Sequence, residues 1–418
     1  MKPARLRLAA LGGGNRSQIY FTHAAKLPAA YALVAGADRH AARRARLREI
    51  SANPEFKEFP TAEALLASPQ LADVLIIGTQ DTSHFAHAAA ALRAGYDLLL
   101  EKPIATSVEE VLSLSQLARD LGRRVLVCHV LRYSALYRRV KDLVAGGAIG
   151  ELVSFEATQG LDPWHSAHSY VRGHWGIAEQ SAPLTVANSC HDLDIISWLV
   201  DAPCRRVSSF GGLQYFNRTH APAGATARCT DGCPVAGSCF YDAHRYLTDK
   251  RSWLGAVFDR AANATNEEIV TWLHGSKWGR CVFQCDNTTV DHQTVALEFE
   301  NGVSGSFTVN AFSQGRDLAL FGTKGRLLAG ARVKQAEGCE VIVETFADQR
   351  RERILVDTRA DIDEILMREL PHELANPDPA DMLTALERSI DSHLMGFAAD
   401  ESRRTGKVVS LAPIASFA

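Results

Sequence analysis

The chain has 418 residues, 46% of them hydrophobic and 22% charged, with 45 lysines and arginines against 48 aspartates and glutamates for a net charge of −3. That length exceeds one ordinary core and implies two domains, and the balance excludes a disordered or fibrous chain. The near-neutral charge gives no reason to expect nucleic acid or an anionic membrane as a partner, and no apolar run reaches the ~20 residues that span a bilayer, so the cytoplasm is the expected location.

Arg5 to Leu11 alternates, turns apolar and ends in Gly12-Gly13-Gly14-Asn15-Arg16-Ser17, followed by a helix-compatible stretch from Gln18 to Leu27. A strand, a glycine turn and a helix N-terminus together aim backbone N–H groups at a pyrophosphate. The G-x-G-x-x-G pattern is incomplete: Gly12 and Gly14 fit, but Ser17 stands at the third glycine. A second strand, Tyr31–Ala37, ends at Asp38, the acid expected to hold an adenosine ribose and to favour NAD. Arg39 beside it keeps NADP open, since a guanidinium pairs with a 2′-phosphate. A third apolar run, Ala72–Ile77, ends at Gly78-Thr79-Gln80-Asp81 and leads into an alanine-rich helix from His84 to Ala94. The fourth, Tyr96–Leu100, ends at Glu101-Lys102-Pro103. Strands alternating with helices predict an α/β fold with a doubly wound parallel sheet over 1–125, its ligands beyond the strands' carboxyl ends.

From 126 to 418 the runs Leu152–Thr158, Arg206–Phe216, Gln293–Phe299 and Val303–Val309 predict an α+β domain with a largely antiparallel open sheet, and Pro379–Ser402 is helical in period. Residues 162–175 are dense in aromatic, imidazole and guanidinium groups, with Trp164, His165, His168, Tyr170, Arg172 and Trp175 suited to a sugar and Arg172 to an anionic substituent. By composition alone a self-anchoring loop or an oligomer contact fits equally. Within an insertion over 217–285, Cys229, Cys233 and Cys239 resemble a zinc knuckle whose fourth ligand is Cys281, Cys285, Cys190, His220 or His244. Buried free thiols fit as well, and an iron–sulfur cluster is a third option. His191 and Asp194, three apart, share one helix face, so the carboxylate is positioned to orient the imidazole.

With Glu101-Lys102-Pro103, the Gly12–Arg16 turn, Gly78-Thr79-Gln80-Asp81 with His84, Arg132-Tyr133 before Tyr137 and Lys141, Ser189–Asp194 and Ser392-His393-Leu394, the chain resembles the Gfo/Idh/MocA family of nicotinamide-dependent sugar and cyclitol oxidoreductases. The resemblance implies Lys102, His191 and Asp194 as catalytic residues. It also implies a dinucleotide site at Gly12, Gly14, Asn15, Arg16, Asp38, Arg39, Thr79, His84, Glu101 and Lys102, Tyr133 among the substrate residues, and a homodimer or homotetramer. Cysteine-bearing insertions occur in some members. The chain departs from many members at Thr185–Cys190, where an aspartate usually found before the histidine is missing. Two enzymatic readings share the first hydride transfer. One is net oxidation or reduction of a sugar, cyclitol or derivative. The other is redox-neutral glycoside hydrolysis through C3 oxidation, with Tyr133, Tyr170, His165 or His168 as a second base and Arg172 suiting an acidic or sulfonated glycoside. A sensor on the same fold would need neither Lys102 nor His191.

Overall fold

In a computed structural model, which describes residues 5–335 and 338–412, the first six strands form one wholly parallel sheet. They are β1 (Leu6–Leu11), β2 (Tyr31–Ala37), β3 (Lys57–Phe59), β4 (Val74–Ile77), β5 (Asp97–Leu100) and β6 (Val125–Val127), in the order β3-β2-β1-β4-β5-β6. The order reverses between β1 and β4, so the glycine turn after β1 and the Gly78 turn after β4 flank the switch point where such sheets bind ligands. Apolar side chains fill both faces of this sheet, as parallel strands covered by helices require.

The remaining strands form a nine-stranded sheet. They are β7 (Leu152–Leu161), β8 (Cys204–Gly212), β9 (His292–Phe299), β10 (Ser304–Asn310), β11 (Gln314–Gly322), β12 (Gly325–Gln335), β13 (Gly338–Thr345), β14 (Arg351–Val356) and β15 (Val409–Ser410). Their order is β14-β13-β12-β11-β7-β10-β9-β8-β15, antiparallel except where β7 runs parallel to β10. The helix Cys190–Val200 packs on its inner face through Leu193, Ile196 and Leu199. The helical period expected over Pro379–Ser402 resolves into a short turn, Pro379–Asp381, and a long helix, Leu386–Thr405. That helix serves both domains: Leu386, Ile390 and Leu394 belong to the core of the parallel sheet, Met395, Ala398 and Ala399 to that of the larger sheet. Among the described residues no helix is long and apolar enough to cross a membrane.

Candidate active site

The turn after β1 depends on two glycines. Gly12 has φ +87°, and a Cβ there would lie 2.5 Å from Gly78 O, so the two switch-point turns touch backbone to backbone. Ser17 at the third glycine position is accommodated from the other side: it is fully buried, and a Cβ on Gly78 would come within 2.4 Å of its Oγ. The helix Asn15–Ala25 that follows has no side-chain cap, which leaves its first N–H groups for an anion. Asp38 lies beside this turn, with one oxygen accepting from Gly13 N–H and the other from His40 N–H, both at 2.8 Å, and each oxygen keeps a further lone pair for a hydroxyl. Gly12, Gly14 and Asp38 thus fit a dinucleotide. Asn15 and Arg39 are exposed at its rim.

Other residues expected at the cofactor are engaged elsewhere. Arg16 donates to Glu101 Oε1 at 2.7 Å and grips Asp363 through both Nη atoms at 2.9 and 2.6 Å, and Tyr20 donates to the same Glu101 oxygen at 2.6 Å. Burial pushes the Glu101 carboxyl up, but Arg16 and Tyr20 outweigh it and hold it below the ordinary range. Arg16 and Glu101 therefore anchor the glycine turn to the Lys102 turn. His84 is buried, with Nδ1 2.6 Å from Pro103 O and Nε2 3.1 Å from Thr79 O, so it clasps the turns after β4 and β5.

Lys102, at the carboxyl end of β5, is half-buried and donates from Nζ to Ala187 O of the second domain at 2.9 Å. His191 begins the next helix. Burial, the Lys102 ammonium and His129 together push its pKa well below the ordinary value, and its Nδ1 has no partner. The ring is thus neutral, with the Lys102 ammonium among the charges that keep it so.

The expected orientation of His191 by Asp194 is not what the helix provides. Asp194 is fully buried and both its oxygens accept from Arg132, at 2.8 and 2.7 Å. His191 instead meets His129, ring edge to ring face at 5.8 Å, and His129 meets His393 at 5.6 Å. His393 accepts from Ile104 N–H at Nε2 (3.0 Å) and lies 3.1 Å from Ser389 O at Nδ1, so it is neutral and holds the backbone two residues past Lys102. His129 went unassigned in the sequence, although it follows an apolar run at the carboxyl end of β6, where ligands of parallel sheets sit. Asp192, next to His191, pairs with Arg316 at 2.7 Å.

The 162–175 cluster divides. His165, Tyr170 and Trp175 form one wall: Tyr170 lies 5.7 Å from the His165 ring and 5.8 Å from the Trp175 ring. Burial and then Lys102 lower the His165 pKa to about 4, which places that wall within electrostatic reach of the ammonium. Tyr170 O–H accepts from Asn188 Nδ2 at 2.6 Å, and Trp175 Nε1 donates to Asp81 Oδ2 at 2.6 Å across the domain junction. The others are buried in contacts with the rest of the protein. Trp164 is buried against Tyr246, His168 is buried with Nδ1 2.5 Å from Tyr246 O–H, and Arg172 is wholly enclosed by backbone carbonyls and Cys229. Tyr133 likewise lies in the core, 3.4 Å from Thr384 Oγ1. Cys229, Cys233 and Cys239 line a single cavity with Cys281, and all nine cysteines are free thiols.

Comparison with known proteins places this geometry. An oxidoreductase-family model with an NAD-binding Rossmann fold matches residues 6–129, and the Gfo/Idh/MocA C-terminal domain matches 137–328. The chain is 25% identical to the putative oxidoreductase YteT of Bacillus subtilis over 69% of its own length and 67% of that protein's. It is 25% identical to inositol 2-dehydrogenase 3 of Saccharopolyspora erythraea over 47% of its length and about half (54%) of that protein's. A levoglucosan dehydrogenase solved with NADH and levoglucosan shares the fold, with TM-score 0.70 and 16% identity over 98% of this chain and 100% of the other. With both domains matched and the dinucleotide cradle in place, the chain belongs to the NAD-binding Gfo/Idh/MocA family of oxidoreductases.

Proposed function

We propose that the protein transfers a hydride between a nicotinamide dinucleotide and a secondary carbinol of a sugar, cyclitol or sugar derivative. The observation that carries this reading is the Lys102 ammonium held against Ala187 O at 2.9 Å, beside a neutral His191 whose Nδ1 has no partner. The ammonium has three donors, and one serves Ala187. The other two hold a substrate hydroxyl and stabilise negative charge on its oxygen as the O–H proton passes to the His191 ring. Nicotinamide, when bound, accepts the carbinol hydrogen as hydride, which leaves a carbonyl. Asp38 supports NAD over NADP, since a carboxylate repels a 2′-phosphate. Tyr170, Trp175 and His165 offer flat faces to sugar C–H groups. Asp194 acts through Arg132 as a structural residue, so the working pair is Lys102 and His191.

The redox-neutral glycosidase reading keeps one supporting observation. Asp259, from the insertion, pairs with Arg43 at 2.9 Å and His40 at 3.8 Å next to the Asp38 loop. This bridge covers the adenosine end and suits a dinucleotide retained through turnover. Exposed Phe210 on β8 and Leu355 on β14 support assembly through the larger sheet.

A panel of sugars, cyclitols and aryl glycosides with NAD separates the readings when NADH absorbance and aglycone release are followed together. Stoichiometric NADH without release is the expected result. Release with catalytic NAD and solvent deuterium at C2 would replace it with hydrolysis. Full turnover by Lys102→Ala would overturn both.

A further inference from the structure

The residues just beyond β2 set the charge that an adenosine ribose meets, and one side chain among them comes from the insertion. Asp38 accepts from Gly13 N–H in the glycine turn, and Arg39, Arg43 and Arg44 follow it closely in the chain. A carboxylate at such a strand end takes the free 2′-hydroxyl of NAD, whereas a nearby guanidinium accommodates the 2′-phosphate of NADP. By composition alone this stretch leans towards the phosphate.

Two of the guanidinium groups are already answered. Arg44 donates from Nη1 to Asp38 O at 2.6 Å and pairs with Glu58 at 3.8 Å. The stem of Arg43 lies against the glycine turn, where a Cβ on Gly13 would come within 3.2 Å of Arg43 Cβ, and its Nη1 is 4.0 Å from Asp38 Oδ2. Its close partner is Asp259, whose Oδ1 accepts from Arg43 Nε at 2.9 Å and whose Oδ2 lies 3.8 Å from His40 Nδ1. One guanidinium thus stands between two carboxylates. Arg39 is exposed and forms no ion pair among the described residues.

Apolar packing brings Asp259 to this place. It lies between the turn Arg251–Ala256 and the helix Asn266–Gly275. Leu254 and Ala261, on either side, are buried in the insertion's own core with Trp164, Tyr246 and Ile269. Phe258 N–H donates to Leu254 O and Ala261 N–H to Phe258 O, both at 2.8 Å, and the Phe258 ring stacks on Trp272 at 5.0 Å. The carboxylate therefore reaches Arg43, 216 residues away in the chain, on a segment held by its own contacts.

We propose that Asp259 is a specificity-determining residue for the dinucleotide. It occupies the guanidinium that a 2′-phosphate would need and sets a second negative charge near Asp38. The proposal rests on the adenosine ribose lying at Asp38. A ribose hydroxyl finds an acceptor there, while a phosphate dianion meets two carboxylates and an arginine already paired, so the rejection is built in as repulsion. The insertion thereby takes part in cofactor choice, a task separate from the hydride step.

The test is fluorescence titration of the full-length protein with NAD and with NADP. The variants are Asp259→Asn, which removes the charge and keeps the shape, Asp259→Ala, Asp259→Glu and, beside them, Asp38→Ala. Wild type should bind NAD more tightly. Asp259→Asn and Asp259→Ala should each tighten NADP by about tenfold, with NAD held within a few-fold, whereas Asp259→Glu keeps the wild-type preference. A wild type that prefers NADP overturns the proposal. Loss of both affinities in equal proportion overturns it too, by making Asp259 a docking residue for the insertion, and so does an unchanged NADP affinity in Asp259→Asn. Asp38→Ala tells that failure from a failure of the ribose placement: a preference shifted towards NADP there keeps the placement and loses only the role of Asp259, and an unshifted one removes both.

Discussion

Both oxygens of the Asp194 carboxylate are held by one guanidinium, that of Arg132, at 2.8 and 2.7 Å. Arg132 also donates to Leu383 O at 2.8 Å and Arg388 O at 3.1 Å, so the pair joins the helix of His191 to the C-terminal segment. Opening such a buried pair from one side leaves a charge without a partner, at about 3–5 kcal/mol. Asp194→Ala and Arg132→Met should each lower the unfolding free energy by about that amount in urea titrations. His191→Ala should instead cut kcat by about 10²–10⁴, the usual span for an acid–base residue, with stability little changed.

Lys102 carries a separate prediction. The one described hydrogen bond of its ammonium, to Ala187 O, is modest in stability terms. Lys102→Ala should therefore fold normally and bind NAD within a few-fold of wild type by fluorescence titration, while turnover falls by at least about 10²-fold. Normal folding with lost NAD binding would assign the ammonium to the cofactor and not to the substrate hydroxyl.

Trp175 and Asp81 bridge the two domains through one charge-assisted hydrogen bond of 2.6 Å. Such bonds contribute about 1.5–3 kcal/mol. Trp175→Phe keeps the ring and removes the donor. If the bond sets the wall opposite Lys102, KM for the sugar should rise by about tenfold to a hundredfold, at about 1.4 kcal/mol per factor of ten, with kcat changed less. An equal loss in kcat with KM unchanged would place the bond in the chemical step.

Acid should unfold the protein through its buried imidazoles. Burial lowers His168 and His393 to about 3 and His165 to about 4, and pushes His129 and His191 well below their ordinary value. The unfolded chain binds these protons below about pH 6.5 and the folded chain does not, so their contribution is fully present above that pH and is lost as pH falls towards 3–4. At about pH 5, His168 and His393 should each cost about 2 kcal/mol. Urea midpoints at about pH 7.5 and pH 5 measure the loss, and His168→Phe should reduce it.

Much of the fold is legible locally. Apolar runs closed by glycine turns, as at Leu11-Gly12 and Ile77-Gly78, are short-range signals, and each expected parallel strand is present. Lys102, Asp38 and the glycines also follow the carboxyl ends of parallel strands, while His191 lies in the helix Cys190–Val200. What sequence hides is the partner at long range. Arg16 and Glu101 share a network with Asp363, 347 residues from Arg16, and Asp194 finds Arg132 62 residues away. Likewise, the composition of 162–175 cannot tell a tryptophan bonded to Asp81 across the domain junction from one packed on Tyr246. Trp164 and Trp175, eleven positions apart in one loop, take opposite fates because the insertion covers only one of them.

The long helix Leu386–Thr405 has a consequence for synthesis. Its first half completes the core of a sheet whose strands lie between Leu6 and Val127, more than 250 residues earlier. The segment just before it caps that sheet's last strand, with Val127 N–H donating to Thr384 O at 2.9 Å. The nascent N-terminal domain therefore leaves the ribosome with an apolar groove uncovered and the edge of β6 unpaired. It stays incomplete until the helix Leu386–Thr405 is translated, so a premature stop shortly before Leu386 would remove core residues from both domains at once.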